Sequence, residues 1–151
     1  RKLYGVVSNM SIAMERRDLL QKFDCFICNQ QEAGMFFSDD YSEKNQEELQ
    51  EILAGCLKKG NIPSMVVTMG GKGSVYADCD GLRGFCPPKN VSVKDTTGAG
   101  DSFCAGVASG LTYGKTLPEA VEIGTRLAAS VITSSENVCP RFLPAEFGLE
   151  V

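Results

Sequence analysis

Apolar positions along the chain fall into two kinds of run. Short continuous stretches bounded by polar or turn residues read as buried strands: Leu3 to Ser8, Asp24 to Cys28 and Met65 to Met69. Two further stretches, Ser74-Val75-Tyr76-Ala77 and Leu82-Arg83-Gly84-Phe85, read as a hairpin joined across Asp80-Gly81. Elsewhere apolar residues recur at three- and four-residue spacing. Leu49, Ile52, Leu53, Cys56 and Leu57 form such a stripe. Asn45 and Glu48 stand before it at capping-box spacing, Lys58-Lys59 follow it, and Gly60 is expected to stop the helix. The stripe reads as core and not as a binding face. Phe103, Val107 and Leu111 mark another helix. A last one opens at Thr116-Leu117-Pro118-Glu119 and carries Leu117, Ala120, Val121, Gly124, Leu127, Ala128, Val131 and Ile132 on one face. Its small members predict close packing against the sheet or the preceding helix.

The polar stretch Met14-Glu15-Arg16-Arg17-Asp18, followed by Leu19, Leu20 and Phe23, predicts a short helix between the first two strands. That is a βαβ-like unit, which favours a parallel sheet covered by helices and an α/β fold. Met35 to Ser42 reads as a loop, and Cys86-Pro87-Pro88-Lys89-Asn90 as a connector.

The chain is organised around Lys94-Asp95-Thr96-Thr97-Gly98-Ala99-Gly100-Asp101-Ser102-Phe103. An extended apolar segment with Val91 and Val93 runs in, and a helix runs out. Between them lies a turn of small residues and then an aspartate. The first turn of a helix offers unpaired N–H groups and the positive end of the dipole, and small residues let an anion approach them. A carboxylate placed there is expected to stay ionised. An anion cradle beside an ionised acid suits transfer of a phosphoryl group to a hydroxyl. The plainer reading is a glycine turn capped by a solvated aspartate.

Composition narrows the chemistry. The 151 residues are the size of one domain, and 43% hydrophobic with 23% charged residues describes an ordinary globular protein. Net charge is −4, pI is about 4.9 and no basic patch stands out, which argues against nucleic acid as a partner. No apolar run approaches the ~18 residues of a membrane span. Arg1-Lys2 precede an apolar run too short for a signal peptide. With seven cysteines and no export signal, reduced thiols and a cytoplasmic location are expected. Cys25-Phe26-Ile27-Cys28 has redox-motif spacing but lies in an apolar strand, so buried structural cysteine is the expectation. Histidine is absent, which leaves acid–base work to a carboxylate, Lys, Tyr or Cys. Gly70-Gly71-Lys72-Gly73 is not a P-loop, because Lys72 is followed by glycine.

The string Asp95-Thr96-Thr97-Gly98-Ala99-Gly100-Asp101 resembles the C-terminal motif of the ribokinase-like (phosphofructokinase B) sugar and nucleoside kinases. The resemblance implies a three-layer α/β/α fold with a mainly parallel sheet. It implies that the amides of Gly98, Ala99 and Gly100 form an anion hole and that Asp101 is the catalytic base. Asn29-Gln30-Gln31-Glu32, placed where a strand ends, is similar to the family's N-x-x-E motif, which organises Mg²⁺ largely through water. The alternative there is a helix N-cap with its capping glutamate. Thr68-Met69-Gly70-Gly71-Lys72-Gly73 matches the family's T-x-G-x-x-G segment, which implies nucleotide contacts at Thr68, Gly70 and Gly73. A plain hairpin turn is the competing reading, and Lys72 is expected to be solvated. Asn137 is the candidate beside the adenine ring, against an ordinary polar loop. Asp95 and Thr97 match two ligand positions for a monovalent cation such as K⁺.

The resemblance runs from about Leu3 to Asn137 but covers only the C-terminal half of a typical family member. The family's substrate-binding glycine–asparagine motif and its β lid are not found. The chain therefore reads as a piece of a larger ATP- and Mg²⁺-dependent kinase: an excised or proteolytic fragment, or one chain of a split protein. It is expected to be inactive or very slow alone. Its missing sheet neighbour is expected to leave an apolar strand edge that invites dimerisation. Ribose, fructose, another keto-sugar and a nucleoside such as pseudouridine stand as candidate acceptors. The alternative function is a non-catalytic nucleotide-sensing or assembly domain on the same fold, against which Asp101 argues.

Overall fold

The computed structural model describes residues 1–135, 139 and 142–149. They form two compact units, Arg1 to Pro87 and Pro88 onward.

The first unit is built on a five-stranded sheet whose spatial order is the chain order. Its strands are β1 (Tyr4–Val6), β2 (Cys25–Asn29), β3 (Ser64–Thr68), β4 (Ser74–Asp78) and β5 (Arg83–Cys86). β1, β2 and β3 are parallel neighbours, and β4 and β5 add as successive antiparallel hairpins. The parallel pairs need crossovers. The first contains α1 (Met10–Glu15) and a 3₁₀ turn at Arg17–Lys22; the second contains α2 (Gln30–Phe37) and α3 (Gln46–Gly60).

Strand alternation sends Phe26, Cys28, Met65, Val67, Val75 and Ala77 to one face of the sheet. There they pack with Ala33 and Phe36 of α2 and with Leu49, Leu53 and Leu57 of α3. Cys25, Ile27 and Val66 of the opposite face are equally buried. A strand buried on both faces reads as an unbroken apolar run, which is why β2 and β3 are so plain in the sequence. Cys25 and Cys28 sit inside this packing, neither of them in a disulfide, and burial pushes the Cys25 thiol up to about 11.

Helix starts follow local chemistry. Asn45 and Glu48 close a capping box on α3: Asn45 Oδ1 accepts from the Glu48 N–H at 2.9 Å, and Glu48 Oε2 accepts from the Asn45 N–H at 3.0 Å. The far end of α3 corrects the expected stop. Gly60 is its last residue, and Asn61, at φ +50°, makes the left-handed cap. Ile52 and Cys56 are only partly buried, so the buried stripe is narrower than the sequence implies. Residues 30–37, expected as a motif followed by a loop, are helical. Gly34 sits mid-helix because a Cβ there would lie 2.6 Å from the Asp39 carbonyl. The single short helix predicted from Met14 to Phe23 is instead two elements, α1 over Met10–Glu15, capped by Asn9, and the 3₁₀ turn at Arg17–Lys22.

The second unit is a pair of helices, α4 (Ala99–Thr112) and α5 (Leu117–Ile132), with a 3₁₀ turn at Pro144–Phe147. Glu119 accepts from both the N–H and the hydroxyl of Thr116, which fixes the start of α5. The two helices meet through small residues. A Cβ on Gly106 would stand 2.6 Å from Gly124 Cα, and one on Gly110 would stand 2.8 Å from Ala120 Cα. The expected close packing is thus against the preceding helix. Ile123, missed by the pattern reading, joins Leu127, Phe147 and Leu149 in a small core. Arg126 lies over the Phe147 ring and donates to the Glu146 carbonyl. The segment around Val91 and Val93 forms no strand. Among the described residues no helix is long and apolar enough to cross a membrane.

Candidate functional site

In the first unit the candidate residues gather at the carboxyl ends of the parallel strands. Asn29 ends β2, Thr68 ends β3, and the two are register partners. The chain turns from Asn29 straight into α2. Asn29 Oδ1 accepts from the Glu32 N–H at 2.8 Å, and Glu32 Oε2 accepts from the Asn29 N–H at 2.8 Å. The capping reading of Asn29-x-x-Glu32 is therefore correct as local structure. The box occupies one carboxylate oxygen of Glu32 and leaves the other.

Thr68 leads into a tight turn. Gly73 N–H donates to the Gly70 carbonyl at 3.3 Å, and Met69 N–H donates to the Gly73 carbonyl at 2.8 Å. Gly70 and Gly73 have φ of +58° and +104°, conformations that glycine adopts without strain. Their surroundings differ. A Cβ on Gly73 would stand 2.4 Å from the Cys86 carbonyl, so β5 by itself requires glycine there, whereas Gly70 faces open space. Lys72 is exposed. Next in line, Ser74 is 2% exposed and its hydroxyl has no partner among the described residues. No sequence signal singles Ser74 out, since its neighbours read as an ordinary strand.

In the second unit the approach to α4 is held at two points. Lys94 N–H donates to the Ile132 carbonyl at the end of α5, at 2.8 Å. Asp95 Oδ1 accepts from both the N–H and the hydroxyl of Thr97, each at 2.8 Å. Those bonds, the backbone one first, hold the Asp95 carboxyl below the usual aspartate range. Gly98 then takes φ +79° and opens α4 with no side chain over its amides. In α2 and α3 an asparagine covers the equivalent groups. Ala99 N–H is used in the turn, donating to Thr96 at 3.2 Å. The amides of Gly100 and Asp101, in the first turn of α4, have no intrahelical carbonyl with which to pair. Gly100 faces open space, and Asp101 is exposed in the first turn. Asn137 lies outside the described residues. A depression on the outer side of α3, beside Ile52, Gly55 and Cys56, is lined by none of the candidates.

A small-residue helix cap with an acid in its first turn and a glycine turn at the strand ends are thus both present on a chain most of which matches a known family. The model of the pfkB family carbohydrate kinases matches residues 5–140. This chain belongs to the pfkB family. A guanosine-inosine kinase from Exiguobacterium acetylicum is 41% identical over 145 residues, covering 95% of this chain and 47% of that protein. The pfkB-family chain thus spans about half the length of this curated relative. Solved structures agree on the fold. A probable sugar kinase from Rhizobium etli superposes with a TM-score of 0.75 at 26% identity, over 99% of this chain and 46% of that one. A Cryptococcus neoformans ribokinase in complex with ADP gives 0.66 at 22% identity, over 89% and 47%. The expected ribokinase-like α/β fold is the one observed.

Proposed function

We propose that this chain is the nucleotide-binding and catalytic half of a cytoplasmic kinase that transfers the γ-phosphoryl group of ATP to a hydroxymethyl group of a sugar or nucleoside. The observation that carries the reading is the start of α4, where Gly98 replaces a side-chain cap and Asp101 stands in the first turn. Membership of the pfkB family and the kinase names of its relatives support it.

In this reading Gly98, Ala99 and Gly100 supply small-residue backbone at which phosphate charge is steadied. Asp101 accepts the proton of the acceptor hydroxyl as that oxygen bonds to the γ-phosphorus. The bond from phosphorus to the bridging oxygen breaks, and ADP and a phosphate ester leave. Thr68, Gly70 and Gly73 hold the nucleotide at the strand ends, and Asn137 is assigned to its base.

The donors at Asn29 and Glu32 fit Mg²⁺, since the capping box leaves one hard carboxylate oxygen of Glu32 for a metal-bound water. When bound, Mg²⁺ would neutralise charge on the β- and γ-phosphates. Asp95 Oδ2 is the oxygen left for a monovalent cation such as K⁺, because Oδ1 is engaged twice by Thr97. The acceptor contacts are assigned to a second portion of sequence, carried on the same polypeptide or contributed by a partner copy. Seven cysteines without a disulfide among them fit a reducing compartment.

The test is Asp101→Asn in the complete enzyme, assayed against ribose, fructose, guanosine, inosine and pseudouridine. Turnover should fall about 10²–10⁴-fold, the usual worth of a general base, with nucleotide affinity nearly unchanged. A variant that keeps the wild-type rate would remove Asp101 from the role. Nucleotide binding without turnover on any acceptor would favour the sensing alternative.

A further inference from the structure

The unpartnered hydroxyl of Ser74 belongs to a row of side chains. Cross-strand register sets Asn29 of β2, Thr68 of β3, Ser74 of β4 and Cys86 of β5 in one line on one sheet face. The line lies where the parallel strands end, the part of an open α/β sheet at which ligands collect. Met69 N–H donates to the Gly73 carbonyl at 2.8 Å, one residue beyond the Thr68–Ser74 pair on each strand. That bond makes Thr68 and Ser74 a non-hydrogen-bonded pair, the kind in which facing side chains come closest. Paired hydroxyls at such positions bond to each other across the strands. The Thr68 hydroxyl is weakly held, with its own contact to the Cys28 carbonyl at 3.5 Å. Ser74 is 2% exposed and has no partner among the described residues. Buried hydroxyls are satisfied in all but a few cases, so an unpaired one next to a loosely held one asks for a reason.

We propose that Ser74 is a positioning residue for nucleotide binding: when a nucleoside triphosphate binds, the Thr68 hydroxyl leaves the Cys28 carbonyl to donate to an anionic oxygen of the ligand, and the Ser74 hydroxyl turns to donate to Thr68 Oγ1. The inference rests on the reading that Thr68 meets the nucleotide. A hydroxyl that accepts one hydrogen bond becomes a better donor of the next. The relay ends in a proton, which suits an anion and not a cation.

The experiment is titration of the protein with a non-hydrolysable ATP analogue and Mg²⁺, with thermal melts alongside. Ser74→Ala should bind about fivefold more weakly, the effect of one net hydrogen bond. Its melting temperature should be unchanged or higher, since an unpaired buried group is removed. In a Thr68→Val background, Ser74→Ala should cost nothing further, because the relay is already cut. Wild-type affinity in Ser74→Ala overturns this inference alone. So does a fully additive double variant, or a loss of affinity that tracks a loss of melting temperature. A wild-type protein that binds no nucleotide overturns the function proposed above, and this inference with it.

Discussion

Gly106→Ala adds one methyl group at the tightest point between α4 and α5. The new Cβ would meet Gly124 Cα at 2.6 Å, Gly124 N at 3.0 Å and the Ile123 carbonyl carbon at 3.2 Å. All three neighbours are backbone, so no rotamer change relieves the contact, and the helices must separate. Overpacking of this kind costs about 1–3 kcal/mol. Alanine returns about 0.5–1 kcal/mol relative to glycine in a helix interior. The net expectation is a destabilisation of about 1–2 kcal/mol, or roughly 2–8 °C in melting temperature for a chain of this size. Gly55→Ala is the matched control. It is also a mid-helix glycine, in α3, but nothing lies within 4 Å of its Cβ position. There the same methyl should stabilise by about 0.5–1 kcal/mol. Both variants would be followed by far-ultraviolet circular dichroism through thermal and urea unfolding. Opposite signs support the reasoning. A Gly106→Ala protein as stable as wild type would refute it, showing that the helix contact is slack enough to absorb a methyl.

Asn29→Ala should lose about 1 kcal/mol through the α2 cap, whereas Asn29→Ser should regain most of that stability in urea titrations without restoring an amide for the metal region. Asp95 has a lowered folded pKa, so its turn contributes stability that is present above the ordinary aspartate value of 3.8 and is lost as pH falls through the lower folded value. Carbon-detected NMR titration should therefore place the Asp95 midpoint below 3.8, and Thr97→Val should move it part of the way back, because the Thr97 N–H bond survives the substitution.

Local chemistry was the most legible layer. Asn29–Glu32, Asn45–Glu48 and Thr116–Glu119 each show a box whose partners are three residues apart, and the structure forms all three. β2 and β3 were visible for a related reason: burial on both faces leaves an unbroken apolar run. Elements that depend on distant atoms were harder to see. Met35 to Ser42 reads as a loop, yet α2 continues to Phe37, and the residue that makes glycine necessary at Gly34 within it is Asp39, beyond the helix end. Gly73 resembled a ligand turn, and the carbonyl that demands it belongs to Cys86, a strand away. Asn61 ended α3 in place of Gly60 because asparagine also tolerates the left-handed conformation. For the candidate site, the spacing of Gly98, Ala99, Gly100 and Asp101 foretold a helix start, which the structure confirms as backbone geometry. Ser74 could not be found this way, since a missing hydrogen-bond partner is a property of neighbours and not of spacing.

The sheet is laid down in the order in which it is written. Each of β2 to β5 pairs with the strand just before it in the chain, so none of these four must wait for a later strand to be inserted between it and its predecessor. During synthesis, at ~5–20 residues per second, each of these four strands leaves the ribosome with its template already made. Such near-neighbour pairing keeps the entropic cost of loop closure low and favours rapid folding. The Pro87-Pro88 connector then falls between a first unit able to assemble as it emerges and a helical pair that completes itself from adjacent sequence.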